Sequence, residues 1–200
     1  MMQIVAATKN AGKLRELRRL LEPLGYRVIS QEEAGVVGQA EETGSTFAEN
    51  AFLKAEYVFA QTGAITLADD SGLCVDALGG RPGVYSARYG GAVGDREQCA
   101  LLLGELKGIL PERRTARFVC AVCVLFPDGS RIAVQESCEG VIGERPAGDD
   151  GFGYDPIFYI GGKSFAELSA EEKDTVSHRG KALRAMTEQM RKRENGNADK

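Results

Sequence analysis

A short apolar segment that leads directly into two adjacent carboxylates constrains this chain more than any other stretch. Residues 64–67 have the composition of a buried strand, and Asp69, Asp70, Ser71 and Gly72 follow where that strand should end. Carboxylates at the carboxyl end of a strand can hold Mg²⁺ or accept a proton from water. Aspartate first and glycine fourth in a run of four are equally typical of an ordinary turn, so the stretch alone leaves both interpretations open.

Composition limits the class of protein. The 200 residues predict one domain, or one domain with two lobes, and suffice to bury a sizeable core. The formal net charge of −4 shows no basic excess of the kind that binds nucleic acid or an anionic membrane, so we predict neither partner. If the ligand is an anion, the positive charge that meets it must be local or supplied by a metal ion.

We expect a cytoplasmic protein without a membrane span. No apolar stretch approaches the ~18 residues that suggest a transmembrane helix. The start of the chain lacks the charged flank of a signal peptide. The five cysteines are odd in number and unpatterned, which fits reduced thiols.

The content of metal-binding side chains restricts the chemistry further. Cys120 and Cys123 lie in a predicted strand, where their odd spacing sends the side chains to opposite faces, so we do not expect a C-x-x-C metal site. The single histidine, His178, excludes a multi-histidine zinc centre. Any catalysis must therefore rest on carboxylates, lysines and a metal.

Hydrophobic spacing predicts the secondary structure. The predicted strands are residues 3–7, 26–30, 117–126 and 131–139, the last two forming a hairpin, and the predicted helices are residues 14–24, 46–62, 95–110 and one ending near residue 193. Capping-box patterns begin at Thr46 and Ser169. Residues 75–91 are rich in glycine and proline and predict a long loop, and residues 194–200 predict a disordered tail.

Basic residues lie near two of the predicted helices. Lys9 and Lys13 lie in the polar loop before the first helix, whose free backbone N–H groups favour an anion. The glycine spacing of a Walker A loop is absent. A capped helix start with solvated lysines explains the same residues. Lys54 lies at the border of the apolar face of the second helix, where it can hold its ammonium at the rim of a cleft or simply be solvated.

A second glycine-dense stretch carries two aromatic residues. Phe152 and Tyr154 alternate with Gly153 and lead to Asp155. Exposed aromatic rings on such a segment can stack on a nucleobase. The same residues also suit a loop before a core strand at 156–160.

Six sequence blocks together resemble the inosine triphosphate pyrophosphatase family, which acts on XTP, ITP and dITP. The blocks are residues 7–13, 41–51, 68–73, 79–89, 151–158 and 177–183. Each block by itself is weak evidence for the family, but all six occur in order and cover the chain from its start to the final helix.

The resemblance implies a fold, a reaction and an assembly. The expected fold is mixed α/β, with a long curved central sheet, flanking helices and two lobes around a nucleotide cleft, in a single domain over residues 1–193. The expected reaction is Mg²⁺-dependent hydrolysis of a nucleoside triphosphate to the monophosphate and pyrophosphate. The expected assembly is a homodimer.

The resemblance also implies roles for individual residues. Asp70 would be the catalytic base and a Mg²⁺ ligand, with Glu41 as the second metal ligand. The substrate would be bound by Thr8, Lys9, Asn10, Ala11, Gly12, Lys13, Lys54, Ser71, Phe152, Gly153, Tyr154, Asp155, Lys173, His178 and Arg179. Lys9 departs from the pattern, because many relatives carry glycine or serine there, which leaves its contact with phosphate open.

Arg179 is the residue that we expect to select the base. Its guanidinium only donates hydrogen bonds, so it suits the keto oxygen of hypoxanthine or xanthine and opposes the amine of adenine. Guanine shares the keto group, so this residue does not exclude GTP. Two other functions remain open: a related pyrophosphatase for modified pyrimidine nucleotides, and a nucleotide-binding protein without turnover.

Overall fold

The computed structural model describes residues 2–91 and 94–198. Its α-helices are α1 (Ala11–Leu21), α2 (Phe47–Thr62), α3 (Asp95–Glu105), α4 (Ala170–Val176) and α5 (His178–Ala198). Its strands are β1 (Met2–Ala6), β2 (Tyr26–Ser30), β3 (Thr66–Val75), β4 (Thr115–Leu125), β5 (Arg131–Ile142), β6 (Phe158–Ile160) and β7 (Lys163–Ser164). Short 3₁₀ turns connect several of these elements.

The strands form one mixed sheet. Within the described residues the sheet has seven strands in the order β2-β1-β3-β4-β5-β6-β7. β1 pairs in parallel with β2 and with β3, whereas β6 is antiparallel to β5 and to β7. This sheet and its helices confirm the mixed α/β fold. No helix in the described part of the chain is both long enough and apolar enough to cross a membrane.

The chain divides into two compact units. Unit 1 contains residues 1–70, 120–136 and 179–200, and unit 2 contains residues 71–119 and 137–178. The interpretation of both as lobes of a single domain stays a prediction.

The core of unit 1 joins the beginning of the chain to its end. Ile4 of β1 and Leu17 and Leu21 of α1 lie in one buried cluster with Leu183 and Met186 of α5. The leucines of α1 recur at the spacing of one helical face, which is why this helix was predictable from sequence. The helix begins as expected at Asn10, whose side chain accepts a hydrogen bond from the Lys13 backbone N–H.

The core of unit 2 is built around aromatic rings. Phe158 packs edge-on against Phe118 and Phe165, with ring centroids 4.8 Å apart in both pairs. Leu102 and Leu106 of α3 belong to the same buried cluster. The predicted core strand at 156–160 is shorter than expected, since β6 covers only Phe158–Ile160.

The caps and turns at the ends of several elements confirm the predictions for them. Thr46 and Glu49 form the complete capping box at the start of α2, and Ser169 and Glu172 form another at α4. β4 and β5 are neighbours joined by a turn in which Gly129 has a φ of 82°. Helix α5 continues to Ala198, past residue 194 where the sequence predicted a disordered tail, and residues 199–200 lie outside the described residues.

The predicted end of the strand before Asp69 is wrong. β3 continues through both aspartates and Gly72 to Val75, so the turn interpretation is also wrong. Leu73 and Val75 are fully buried, and β3 lies between β1 and β4 in the sheet, with β1 pairing at Thr66 and Leu67. The local turn preference of Asp and Gly is therefore overridden by sheet pairing and burial.

Replacing Leu102 with alanine tests the core of unit 2. Leu102 is completely buried, so Leu102→Ala should lower the free energy of unfolding by about 2–5 kcal/mol. Leu101→Ala is a matched control on the same helix, because the Leu101 side chain is 37% exposed and should contribute much less. Urea unfolding of both variants measures the difference. Equal losses would contradict the assigned orientation of α3.

Candidate active site

Charged side chains from several elements converge in unit 1. β3 contributes Asp69 and Asp70, and their neighbours come from α1, the loop before α2, α2 and the start of α5. We call this group the charge cluster; its members are Lys13, Glu16, Glu42, Lys54, Asp69, Asp70 and Arg179. Because adjacent residues of a strand point to opposite faces, the two aspartates meet different partners.

Asp69 is buried between two cations. Its Oδ2 lies 3.0 Å from Lys13 Nζ and 3.0 Å from Arg179 Nη2, and its side chain is 1% exposed. Burial raises the pKa of this carboxyl, but the charges of Lys13, Arg179 and Lys54 outweigh it and hold the pKa well below its usual range. Asp69 is therefore a fixed anion at any physiological pH.

Arg179 is held by two carboxylates. Its Nε and Nη2 donate to Asp69, and its Nη1 donates to Glu16 of α1. Burial lowers the pKa of the guanidinium, but the two carboxylates reverse that effect and raise it. The sequence analysis assigned Arg179 to a nucleobase pocket, whereas the structure places its guanidinium among the carboxylates of unit 1.

Asp70 has a different environment from its neighbour. Its Oδ1 accepts a hydrogen bond from Lys54 Nζ at 2.6 Å. Burial raises the pKa of the Asp70 carboxyl, and this effect exceeds the lowering by Lys54. Burial alone would lower the pKa of Lys54, but Asp70 and Asp69 raise it above the ordinary value. Asp70 is thus the more basic carboxylate of the pair, and Lys54 stays protonated beside it.

The loop before α2 brings Glu42 to the charge cluster, not the adjacent Glu41. Glu42 Oε1 lies 2.9 Å from Lys54 Nζ, whereas Glu41 is exposed. The resemblance implies Glu41 as a metal ligand, whereas Glu42 is the glutamate that contacts Lys54 in the structure. Residues in an irregular loop have no fixed periodicity, so the sequence contains no signal that separates two neighbouring glutamates.

Asp70 and Glu42 are the two carboxylates of the charge cluster that could hold a divalent metal ion. Both carboxylates have an oxygen within 3 Å of Lys54 Nζ, so they lie close to each other around the Lys54 ammonium. Among the described residues, no group of three or more His, Cys, Asp or Glu side chains could hold a metal. Mg²⁺ is usually held by one or two carboxylates together with water and substrate phosphates, and a complete protein cage is not required.

The loop at residues 8–13 is a capped helix start. Thr8 Oγ1 accepts from the Asn10 backbone N–H at 3.1 Å, and Asn10 caps α1. Lys9 is exposed, as expected of a solvated lysine, but Lys13 is half-buried in its ion pair with Asp69. The exposed or half-buried backbone of Ala11 and Gly12 leaves this turn accessible to an anion.

A second group of predicted residues meets in unit 2. We call it the aromatic cluster; its members are Phe118, Phe152, Asp155, Phe165, Lys173 and His178. Asp155 Oδ2 accepts from the Phe152 backbone N–H at 2.9 Å and from Lys173 Nζ at 2.6 Å. The Lys173 ammonium lies 4.9 Å from the centre of the Phe152 ring, within cation–π distance.

The aromatic rings of this region differ in their exposure to solvent. His178 stacks on Phe118 at 4.7 Å with an angle of 10° between the ring planes. Phe152 is half-buried, as a stacking ring should be, but Tyr154 is buried and donates its hydroxyl to the Ser86 carbonyl at 3.0 Å. Tyr154 is therefore a core residue that holds the segment in place.

Two residues that the sequence analysis missed hold the glycine of this segment. The Gly153 N–H donates to Asp95 Oδ2 at 2.6 Å, and the Gly153 carbonyl accepts from the Cys99 thiol at 3.4 Å. Both partners come from α3, one turn apart. Ser71 follows Asp70 directly in β3 and is half-buried at the beginning of unit 2.

Replacing Asp69 with asparagine should change how the free energy of unfolding depends on pH. Because Asp69→Asn removes one partner of a buried ion pair, it should lower the free energy of unfolding at neutral pH by about 3–5 kcal/mol. The pKa of Asp69 in the fold lies below the ~3.9 of an unfolded aspartate, so its stabilisation is present above about pH 4 and is lost as the pH falls.

The difference in stability between Asp69→Asn and the unaltered protein should therefore shrink below about pH 4. Asp76→Asn is the control, because Asp76 makes an exposed pair with Arg117 and should change stability by at most ~1 kcal/mol. Urea unfolding between pH 7 and pH 3 measures both. A constant difference across that range would contradict the charge assignment.

Known proteins similar to this chain share a family and a fold. The chain matches the model of the Ham1 family over residues 4–189. The dITP/XTP pyrophosphatase of Thermus thermophilus is 53% identical over 189 residues, which are 94% of this chain and 91% of that protein. The dITP/XTP pyrophosphatase of Geobacillus kaustophilus is 52% identical over 192 residues, covering 94% of each protein.

A solved structure has the same fold. The HAM1 protein from Coxiella burnetii aligns with a TM-score of 0.86 and 40% sequence identity, covering 96% of this chain and 100% of that one. The sequence relatives confirm the resemblance first read from the six blocks. The extent and identity of these matches establish that the chain belongs to the Ham1 family.

Proposed function

We propose that this chain hydrolyses the non-standard purine nucleotides XTP, ITP and dITP to the monophosphate and pyrophosphate, with Mg²⁺ as cofactor. This activity would remove such nucleotides before polymerases incorporate them. The relatives named dITP/XTP pyrophosphatase support the reaction. The observation that carries the proposal is the pair of adjacent aspartates with different partners: Asp69 lies between Lys13 and Arg179, whereas Asp70 accepts a hydrogen bond from Lys54. Such a pair supplies a fixed charge and a base at one place.

The charge balance of the cluster supports a metal requirement. It contains three cationic side chains and four carboxylates, so it is formally negative without a metal. A triphosphate is strongly anionic, and a negative site repels it. A divalent ion on Asp70 and Glu42 would supply the missing positive charge to the phosphate oxygens. The chain itself adds Lys13, Lys54 and the first turn of α1.

We assign the base that activates water to Asp70. The resemblance implies this role, and Lys54 Nζ at 2.6 Å from Oδ1 orients the Asp70 carboxylate. Water that transfers a proton to Asp70 can attack a phosphorus of the bound nucleotide, and pyrophosphate leaves. Asp69 would act indirectly by fixing Lys13, which would bind the phosphates.

We assign recognition of the nucleobase to the aromatic cluster. The half-buried Phe152 ring supplies a stacking surface. Lys173 only donates hydrogen bonds, so it suits a keto oxygen and opposes the amine of adenine. Asp155 holds the Lys173 ammonium at 2.6 Å, which limits its freedom. Arg179 fits this role less well than the sequence analysis expected, because its guanidinium binds Asp69 and Glu16.

We also propose that the chain assembles as a homodimer, as the resemblance implies. Val37, Tyr85 and Leu110 are apolar side chains that are more than half exposed and would be available to a partner. Light scattering coupled to size-exclusion chromatography measures the mass. A mass that stays monomeric at all protein concentrations would contradict this assembly.

Asp70→Asn tests the catalytic assignment. The variant should still bind nucleotide but lose about 10²- to 10⁴-fold in turnover, because it lacks the general base. Pyrophosphate release from ITP, XTP and GTP, with and without Mg²⁺, measures the effect, and a modified pyrimidine triphosphate tests the related activity. Asp76→Asn is the control on an exposed carboxylate.

Each outcome of this assay separates the possible functions. Release of pyrophosphate from ITP and XTP that requires Mg²⁺ supports the proposal. Tight nucleotide binding without release would indicate a binding protein, and preference for the pyrimidine would indicate the related pyrophosphatase. Near-normal turnover of Asp70→Asn would remove Asp70 from its role.

Lys173→Met tests the selection of the base. It keeps the apolar stem but removes the donor, so kcat/KM for ITP should fall much more than kcat/KM for ATP. A site that hydrogen-bonds its substrate discriminates by as much as ~10⁴-fold, and this ratio should largely collapse. Lys163→Met is the control, since Lys163 is exposed. An unchanged ITP-to-ATP ratio would refute the assignment.

A further inference from the structure

The segment that follows Glu42 is tied to the first turn of α2. The Gly44 N–H donates to Asn50 Oδ1 at 2.8 Å. The Ser45 and Thr46 N–H groups donate to Glu49 Oε2 at 2.7 and 3.2 Å. Three consecutive backbone groups of the loop are thus bound by two neighbouring side chains of one helix, which leaves this part of the loop little freedom.

The amide side chain of Asn50 is buried and only partly hydrogen-bonded, which disfavours the folded state. It is 0% exposed, and in the described part of the chain its Nδ2 has no hydrogen-bond partner. A buried donor without a partner destabilises the folded state. The start of α2 does not require Asn50, because Thr46 and Glu49 already form the complete capping box. The Asn50 side chain instead accepts a hydrogen bond from the Gly44 backbone N–H.

The loop backbone approaches the helix too closely for any side chain at residue 44. A Cβ added to Gly44 would lie 2.7 Å from Asn50 Oδ1 and 2.7 Å from Glu49 Cβ. An alanine here must therefore push the loop away from α2. Gly44 and Asn50 together fix one distance between the loop and the helix.

The same helix also meets the carboxylate that the loop carries. Asn50 and Lys54 are four residues apart on α2, so they lie on the same face one turn from each other. Asn50 holds Gly44, and Lys54 lies 2.9 Å from Oε1 of Glu42, which precedes Gly44 by two residues. The position of Glu42 relative to Lys54 and Asp70 therefore depends on the bond between Gly44 and Asn50.

We propose that Asn50 is a positioning residue that sets Glu42 beside Asp70 so that both carboxylates bind the same divalent ion. This inference rests on the proposed function, because it assumes that the two carboxylates hold a metal. Asn50 acts through the loop and does not itself touch the ion. Residues that orient metal ligands typically change metal affinity by about 10- to 100-fold when they are replaced.

Binding of Mn²⁺ to the full chain tests the proposal. Electron paramagnetic resonance measures free Mn²⁺ directly and does not depend on turnover. Asn50→Ala and Gly44→Ala should each weaken Mn²⁺ binding by about 10- to 100-fold. The Mg²⁺ concentration for half-maximal ITP hydrolysis should rise by a similar factor, while kcat at saturating Mg²⁺ changes much less.

Gln98→Ala is the matched control. Gln98 is also a buried amide on a helix, and its Nε2 donates to the Ala87 carbonyl at 3.0 Å in unit 2. Its replacement should lower thermal stability to a similar degree without changing Mn²⁺ affinity. Gly44→Ala keeps the test decisive if Asn50→Ala fails to fold, because it disturbs the same contact from the loop side.

The outcomes distinguish the two proposals. If the unaltered protein binds Mn²⁺ and both variants bind it equally well, Asn50 has only a structural role and the inference is overturned. If the unaltered protein neither binds Mn²⁺ nor requires a metal for turnover, the proposed function fails and the inference fails with it. Weaker binding in both variants but not in Gln98→Ala supports the role of Asn50.

Discussion

The burial of Asp69 inside β3 is the constraint on which the rest of unit 1 depends. A carboxylate with 1% exposure persists as an anion only when cations surround it, and Lys13 and Arg179 supply them. One cation comes from the first helix and the other from the last, and both helices also pack in the core of this unit. The ionic requirement and the hydrophobic core therefore favour the same arrangement of the chain ends.

Side chains alternate between the two faces of a strand, so the adjacent aspartates Asp69 and Asp70 have different surroundings. Asp69 faces Lys13 and Arg179 and has a lowered pKa, whereas Asp70 faces Lys54 and has a raised pKa. Lys54 also reaches Glu42, so one ammonium joins the two carboxylates that fit a metal. With three cationic side chains and four carboxylates, the charge cluster is formally negative.

Local patterns predicted a large part of the fold. The leucine spacing of α1, the capping box at Thr46 and the glycine turn between β4 and β5 all depend on residues close in sequence, and the structure confirms each of them. The end of the strand before Asp69 was predicted wrongly, since a local turn preference is weak against sheet pairing and burial. The Glu42 contact was missed because an irregular loop has no fixed periodicity, and the burial of Tyr154 was missed because its partner Ser86 lies in a distant part of the sequence.

The sequence by itself determined the family, the class of fold and the types of side chain that are available for the chemistry. Ordered blocks and hydrophobic periodicity carry that information, because they reflect short-range geometry and shared ancestry. Only the tertiary structure decided that Glu42 meets Lys54, that Arg179 binds Asp69, and that the two aspartates have opposite pKa shifts. These facts follow from burial and from distances between atoms of separate elements, which no local pattern of residues specifies.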